Sequence, residues 1–400
     1  MPLFAMGWFF NGIRRRRQEM NASRTRHDES CRLLGGGPVN VPGYVAEAVA
    51  SCAMGHRDPS CRSLIRDVSD RLRAIAGVSA DDFAVIPIAG SGTAANEMVL
   101  SSTVRPGDCV LVLGNGEFGY RLQGLSTYYN RTELLDFGWG GTIDLLQVEE
   151  AITRLRPSLV AVVQHETSTG LLNPIVEIGQ ICASHGSRLF VDTVSSMGAD
   201  PINLAICNAT FATTSSGKSL GAMPGVALVL ARRSAMSDVV RIPRRGHYLN
   251  LAIAYESIEA TGLTSNTPAV QLLAGLDAAL RGIEAEGLDN RVQAIRLRTD
   301  YLRETLLANG WELYFPDAVR SYAGTCAKLP EGMSFADFGA ALLRHRFTVH
   351  AGKGPFADRM FQVCCTVGVD MALIDEFCET VTRIREEASP GGQADAIAAV

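Results

Sequence analysis

Five short apolar runs, Phe83 to Ile88, Cys109 to Leu113, Leu159 to Val163, Leu189 to Val194 and Val226 to Ala231, constrain this chain more than any other feature. Each is rich in Val, Ile or Leu without polar alternation, the pattern of a strand covered on both faces. Helical patterns separate several of them. In Val176 to His185, for example, Ile178, Ile181 and Cys182 share one side and Gly186 stands at the expected stop. Strand and helix in alternation predict an α/β domain on a mostly parallel sheet flanked by helices, with its ligand at the carboxyl ends of the strands. Upstream, Leu64, Ile65, Val68, Leu72 and Ile75 fall on one face of a helix that starts near Pro59 and runs out at Gly77. After Thr267 two long helix-forming segments, Ala269 to Glu286 and Asn290 to Asn309, lead into a smaller C-terminal α+β domain. The expected organisation is an extension over residues 1–30, a large domain over 31–285 whose first segment also contributes to the small domain, a small domain over 286–388, and a tail over 389–400.

Composition narrows the function classes. A formal charge of -5, from 37 Lys+Arg against 42 Asp+Glu, provides no basic field for a nucleic-acid backbone and favours a small metabolite as partner. The 10 cysteines form no CxxC pair, which speaks against a metal site and against a secreted disulfide framework, so reduced thiols and a cytoplasmic location are expected. Met1 to Phe10 is apolar but precedes the basic run Arg14 to Arg17, the reverse of a secretory signal. A membrane span needs about 20 apolar residues, so no membrane association is expected.

Four loops at predicted strand ends carry sequence that a core does not need. Gly90-Ser91-Gly92-Thr93-Ala94-Ala95-Asn96-Glu97 follows a strand and opens a helix, so backbone N–H groups, the Thr93 hydroxyl and the helix dipole converge on a place for an anion. Asp192 ends an apolar strand in Val191-Asp192-Thr193-Val194-Ser195-Ser196. A buried carboxylate there needs a cation or strong donors, unless it merely caps a helix. Lys218, in Ser215-Ser216-Gly217-Lys218, lies among small residues beside the sheet, where desolvation would free a neutral amine for a Schiff base. His165-Glu166-Thr167-Ser168-Thr169-Gly170 is a polar cluster able to hydrogen-bond a ring or carbonyl oxygen. An anion cradle, a strand-end acid and a later strand-end lysine are together the parts that hold pyridoxal 5'-phosphate.

With Gly90 to Ala94, His165 to Pro174 and Val191 to Gly198 as its most specific stretches, the sequence resembles the class V branch of fold-type I pyridoxal-phosphate enzymes. Within that branch it looks most like 2-aminoethylphosphonate:pyruvate transaminases and alanine:glyoxylate relatives. The resemblance covers about Leu33 to Asp370. It implies that Lys218 bears the cofactor as a Schiff base, that Asp192 pairs with its pyridinium nitrogen, that Phe118 stacks on its ring and that the Thr167 hydroxyl faces the ring oxygen. It further implies cofactor contacts from Gly92, Thr93, Val194 and Ser215, and from Thr264 and Thr267 of the other subunit of an obligate homodimer. Gly36 belongs with the substrate contacts. The reaction implied is amino transfer between a small amino compound, such as an aminophosphonate, and a 2-oxo acid.

The sequence departs from that pattern where these enzymes carry an arginine for the substrate's acidic group. Phe361-Gln362-Val363-Cys364-Cys365 puts Gln362 or Val363 at its position, according to where a gap falls. A neutral amide cannot replace a bidentate guanidinium. Arg57, Arg244, Arg245, Arg320 and Arg359 are the replacement candidates, with Arg244 and Arg245 first because they precede Gly246-His247-Tyr248. A second departure is Gly217, where relatives often have Asn or Gln. Two other readings follow: a different pyridoxal-phosphate reaction (an elimination, a decarboxylation or a cysteine-desulfurase-like transfer using Cys326, Cys364 or Cys365), and a non-catalytic binding protein, which the presence of both Lys218 and Asp192 disfavours.

Overall fold

The computed structural model describes residues 31–316 and 319–388, so the extension expected over 1–30 and the tail expected over 389–400 lie outside the described residues. Seven strands form the central sheet: β1 (Phe83–Ala89), β2 (Cys109–Gly114), β3 (Arg131–Asp136), β4 (Leu159–Val163), β5 (Arg188–Asp192), β6 (Ala209–Ser215) and β7 (Val226–Arg232). Their order is β1-β7-β6-β5-β4-β2-β3, and β7 alone runs antiparallel to its neighbours.

All five apolar runs are strands. The two strands without an apolar run explain themselves. β3 is an edge strand with alternating exposure, so Arg131 and Glu133 are tolerated there. β6 is wholly buried yet reads Ala-Thr-Phe-Ala-Thr-Thr-Ser; β-branched threonine suits a pleated surface, and a buried hydroxyl gains from a partner. The Thr213 hydroxyl donates to Asn96 Oδ1 at 2.5 Å.

Alternate residues of the strands feed opposite faces. In β1, Phe83 and Val85 join a core with Leu64, Val68 and Leu72 of α1 (Pro59–Ala76), while Ala84, Ile86 and Ile88 join a core with Ala95, Met98 and Val99 of α2 (Gly92–Ser102). Each Val, Leu, Ile, Phe or Met among them contributes roughly 1.5–3 kcal/mol by leaving water, which favours apolar residues on both faces of a covered strand such as β1. α1 ends at Gly77, whose φ of 66° places it in the left-handed region.

A second core gathers Leu302, Trp311, Phe338, Phe361 and Phe377 around a three-stranded antiparallel sheet of β8 (Thr325–Lys328), β9 (His350–Ala351) and β10 (Met360–Val363), with β10 central. Leu34 belongs to this core, and Arg32–Leu33 pairs in parallel with Phe347–Thr348. The N-terminal segment thus crosses from the second core to the main sheet, and it does so at the mouth of the cleft described below. Among the described residues no helix is long and apolar enough to cross a membrane, and no cluster of His, Cys, Asp or Glu has the makings of a metal site.

Asp200 latches the two cores together. Its buried carboxylate accepts from the Ser321 hydroxyl at 2.7 Å and from the Tyr322 N–H at 3.0 Å. Burial pushes its pKa up to about 6, against the pull of those donors. A carboxyl that holds its proton more tightly when folded stabilises the fold below its ordinary pKa, and that contribution is lost as pH rises through about 6. Asp200→Asn is therefore expected to gain on the parent, by up to about 3 kcal/mol, as pH goes from 4 to 7. The difference in Tm between the two proteins across that range measures it, and a pH-independent difference contradicts the assignment.

Candidate active site

The carboxyl ends of β1, β4, β5 and β6 open into one cleft of about 480 Å³, as a sheet of this winding dictates. Gly92, Thr93, Phe118, Asp192, Val194, Ser215 and Lys218, seven of the residues expected to hold the cofactor, line it.

One wall is the start of α2. Ser91 is its N-cap residue and makes no side-chain capping bond, so the first-turn N–H groups of Gly92 and Thr93 are not competed for by a side chain. A Cβ at Gly92 would lie 2.5 Å from Val194 Cγ2, so only glycine lets the helix start this close to the floor of the cleft. The result is an anion site of backbone donors at the positive end of a helix.

Asp192 forms the back. The Val194 N–H donates to its Oδ1 at 2.9 Å and the Asn96 amide to its Oδ2 at 2.6 Å, while Thr213 orients Asn96 from behind. Burial raises the Asp192 pKa even so, and the two donors, Arg121 and Lys218 only partly offset it. The carboxylate is therefore short of a positive partner, which a protonated ring nitrogen would supply.

Lys218 enters from the opposite side. Burial lowers its pKa; the nearby Cys364 and Asp192 oppose that shift, and Arg121 and Lys353 reinforce it. A Cβ at Gly217 would meet Pro224 at 2.8 Å, so Asn or Gln would not fit here without displacing the turn. Gly37 presses on the lysine stem: its added Cβ would lie 2.4 Å from Lys218 Cδ and 2.9 Å from the Gly217 carbonyl, at a φ of 125° that suits glycine. Gly37→Ala is expected to lower kcat/KM by about 100-fold while the protein stays folded, because a misplacement of about 1 Å at the reacting amine costs that much. Steady-state kinetics beside a circular dichroism spectrum test this, and a less than threefold change would mean that the segment yields freely.

The polar loop after β4 does more than face a ring. Glu166 is fully buried and receives the N–H groups of Phe118 at 3.1 Å, Gly119 at 2.9 Å and Ser168 at 3.2 Å, together with the Ser168 hydroxyl at 2.5 Å. It caps α3 (Glu117–Thr127), the helix that presents Phe118 over the cleft opposite Val194. Gly116 is required there, since a Cβ would lie 2.5 Å from Ser168 Oγ. Thr167 donates to the Ser195 hydroxyl at 2.7 Å, so the pair sits together at the cleft. His165 lines the cleft with both ring nitrogens buried and without a hydrogen-bond partner among the described residues, and burial pushes its pKa down to about 3. An orphaned imidazole, a backbone anion cradle and an under-compensated carboxylate are what pyridoxal phosphate would complete.

Other expected residues lie elsewhere. Thr264 and Thr267 are in a separate small groove with Tyr248, away from this chain's own cleft. Arg244 pairs with Glu256 at 3.1 Å on the surface, and Arg245 donates to the Tyr129 and Val104 carbonyls and to Asn130 Oδ1, so neither replaces the absent arginine within this chain. Arg57 is exposed beside His56, Arg320 donates to the Phe315 carbonyl, and Arg359 lies in a groove on the outer side of the second core. Gly36 is at the site: its added Cβ would touch Thr167 and Cys364. Strand register separates the two candidates for the arginine's position. Gln362 faces the site, donating to the Thr167 carbonyl at 2.7 Å, and Val363 is buried in the second core. Asn96 and Arg121 were missed as site residues. Asn96 stands one turn after Gly92 and Arg121 one turn after Phe118, so helical spacing from the two motif residues was the available signal.

The aminotransferase class-V family profile matches residues 47–367. An uncharacterized aminotransferase of Methanocaldococcus jannaschii is 33% identical over 82% of this chain and 85% of its own. The 2-aminoethylphosphonate–pyruvate transaminase of Syntrophobacter fumaroxidans is 32% identical over 75% of this chain and 82% of its own. Among solved structures, the alanine–glyoxylate aminotransferase of Nostoc sp. superposes with a TM-score of 0.85 at 29% identity, covering 89% of this chain and 95% of that one. Taken with a cleft whose acid, amine and anion cradle suit pyridoxal phosphate, these matches make the chain a member of the class-V aminotransferases, pyridoxal-phosphate-dependent transaminases of fold-type I.

Proposed function

We propose that this transaminase moves an amino group between 2-aminoethylphosphonate, or a closely related aminophosphonate, and a 2-oxo acid such as pyruvate. The observation that carries the amino-transfer chemistry is the half-buried Lys218 amine, its pKa lowered by burial, in the same cleft as Asp192. Bound there, pyridoxal phosphate supplies an electron sink for a carbanion at the substrate carbon beside nitrogen. Asp192, oriented by the Val194 N–H and the Asn96 amide, would hold a proton on the ring nitrogen. Phe118 and Val194 keep water off the two faces of the slot. The Lys218 Nζ, its pKa lowered by burial, is placed to take a proton from the substrate Cα and return it one atom away.

The phosphonate assignment is supported by several relatives of that printed name, at 27–35% identity. The same reading extends to a homodimer in which Thr264 and Thr267, outside their own chain's cleft, complete the anion cradle of the partner. A cysteine-desulfurase-like reaction fits less well, since burial pushes the Cys326 and Cys364 thiols up to about 12 and Cys365 is equally enclosed.

Mixing the holoenzyme with 2-aminoethylphosphonate is expected to convert the cofactor band to its pyridoxamine form, and pyruvate to restore it with release of alanine. Ammonia or sulfide release without the pyridoxamine form would overturn amino transfer. Conversion by alanine but not by the phosphonate would overturn the donor.

A further inference from the structure

The face of the second sheet that looks into the cleft carries Gln362 where relatives have their acid-binding arginine. β10 pairs with β8 on one side and with β9 on the other, so Cys326 and His350 stand directly opposite Gln362. Directly paired residues point to the same face. Gln362 reaches the Thr167 carbonyl, so His350 stands on that same face of the sheet, beside the segment that lines the cleft. Its half-buried ring lies against the N-terminal segment, where a Cβ on Gly35 would come within 2.6 Å of Nε2. Two residues on, Gly37 abuts Lys218, so the imidazole and the reactive amine flank one short glycine stretch.

The other polar groups of this face are taken. The Gln362 amide donates to Thr167, and burial holds the Cys326 and Cys364 thiols neutral. The His350 ring makes no hydrogen bond among the described residues, and its pKa is lowered by burial and by the positive charges of Lys218 and Lys353. Lys353 follows three residues later, exposed and without an ion pair among the described residues. Its loop is pinned in place: a Cβ on Gly354 would collide with the Trp139 ring at 2.4 Å, and Trp139 packs edge-on to Phe356 at 6.4 Å.

We infer that the His350 imidazole, backed by the Lys353 ammonium, receives the acidic end of the substrate, a carboxylate or phosphonate oxyanion, in place of the arginine that Gln362 displaces; this rests on the amino-transfer reading above. His350 supplies the N–H donor and Lys353 the charge, a division of the two functions that one guanidinium would combine. Arg121 also lines the cleft, but on the opposite wall, paired with Glu117 at 3.0 Å and stacked 4.7 Å from the Phe118 ring centroid.

Unreactive anions test this apart from turnover. Holoenzyme is titrated with propionate and with ethylphosphonate, read by the cofactor absorbance band and by tryptophan fluorescence. His350→Ala is expected to weaken the preferred anion about tenfold or more, the loss of one hydrogen bond to a charged group. Lys353→Ala should weaken it about threefold, His350→Gln should lie between His350→Ala and the parent, and Lys328→Ala, on the outer surface with Glu312, should change nothing. The anion that binds the parent more tightly identifies the substrate's acid. If His350→Ala loses its cofactor band, His350→Gln carries the test. Binding within twofold of the parent in the histidine variants, a loss confined to Arg121→Ala, or no anion binding by the parent overturns the inference. An unreactive cofactor with an intact anion response would instead remove amino transfer and leave the anion site standing.

Discussion

Lys218→Ala is expected to abolish turnover, by at least about 10⁴-fold, and to remove the absorbance band near the visible edge that borohydride reduction bleaches. In the proposed reaction the residue would serve as both the cofactor's covalent anchor and the proton carrier, and general acid–base catalysis alone is worth about 10²–10⁴. The structure explains why no neighbour substitutes. Arg121 carries a guanidinium rather than a primary amine, and Lys353 is exposed on the loop that follows His350. Lys218→Arg keeps a cation in the same space but offers no free amine, so it should fold and remain inactive. Retention of the band in Lys218→Ala, or activity within tenfold of the parent, would place the reactive amine elsewhere.

The second large effect is expected from Asp192→Asn, which should lower kcat by about 10²–10³ while the Lys218-dependent band persists at an altered position. The change is nearly isosteric, and the Val194 N–H keeps its acceptor. What is lost is the negative charge that would hold a proton on a ring nitrogen. The new amide would also face the Asn96 Nδ2 group across 2.6 Å, and Asn96 is held in its orientation by Thr213. Two donors meeting without an acceptor cost about 1–3 kcal/mol in a buried site. Relief from burying a carboxylate whose pKa is raised by desolvation works the other way, so the melting temperature should change little compared with the rate. A variant with kcat within tenfold of the parent would show that the charge at 192 does not control the reaction.

How much of this was legible in the chain depends on how local each feature is. The five apolar runs became strands because continuous Val, Ile and Leu sequence is itself the requirement for a strand buried on both faces. Asp192 and Lys218 could be picked out because a charged residue at the end of such a run stands where parallel sheets place ligands. β6 was hidden because its threonines interrupt the apolar pattern, and Thr213 pairs its hydroxyl with a group more than 100 residues away, which no local pattern announces. The role of Glu166 was likewise out of reach, since the N–H groups it caps lie almost 50 residues upstream.

The parallel architecture, the class of cofactor and the candidacy of Asp192 and Lys218 could all be read from the chain, since they depend on which residues end apolar runs. Which of the remaining candidates stand at the cleft and which do not came from the folded arrangement alone. Strand register gave the cleft to Gln362 and the core to Val363, carbonyls at 104 and 129 claimed Arg245, and antiparallel pairing set His350 beside the displaced arginine's position. The physical reason is that a side chain's face and partners come from pairings between distant segments, fixed by close glycine contacts and hydrogen-bond register, while periodicity reports only on neighbours along the chain.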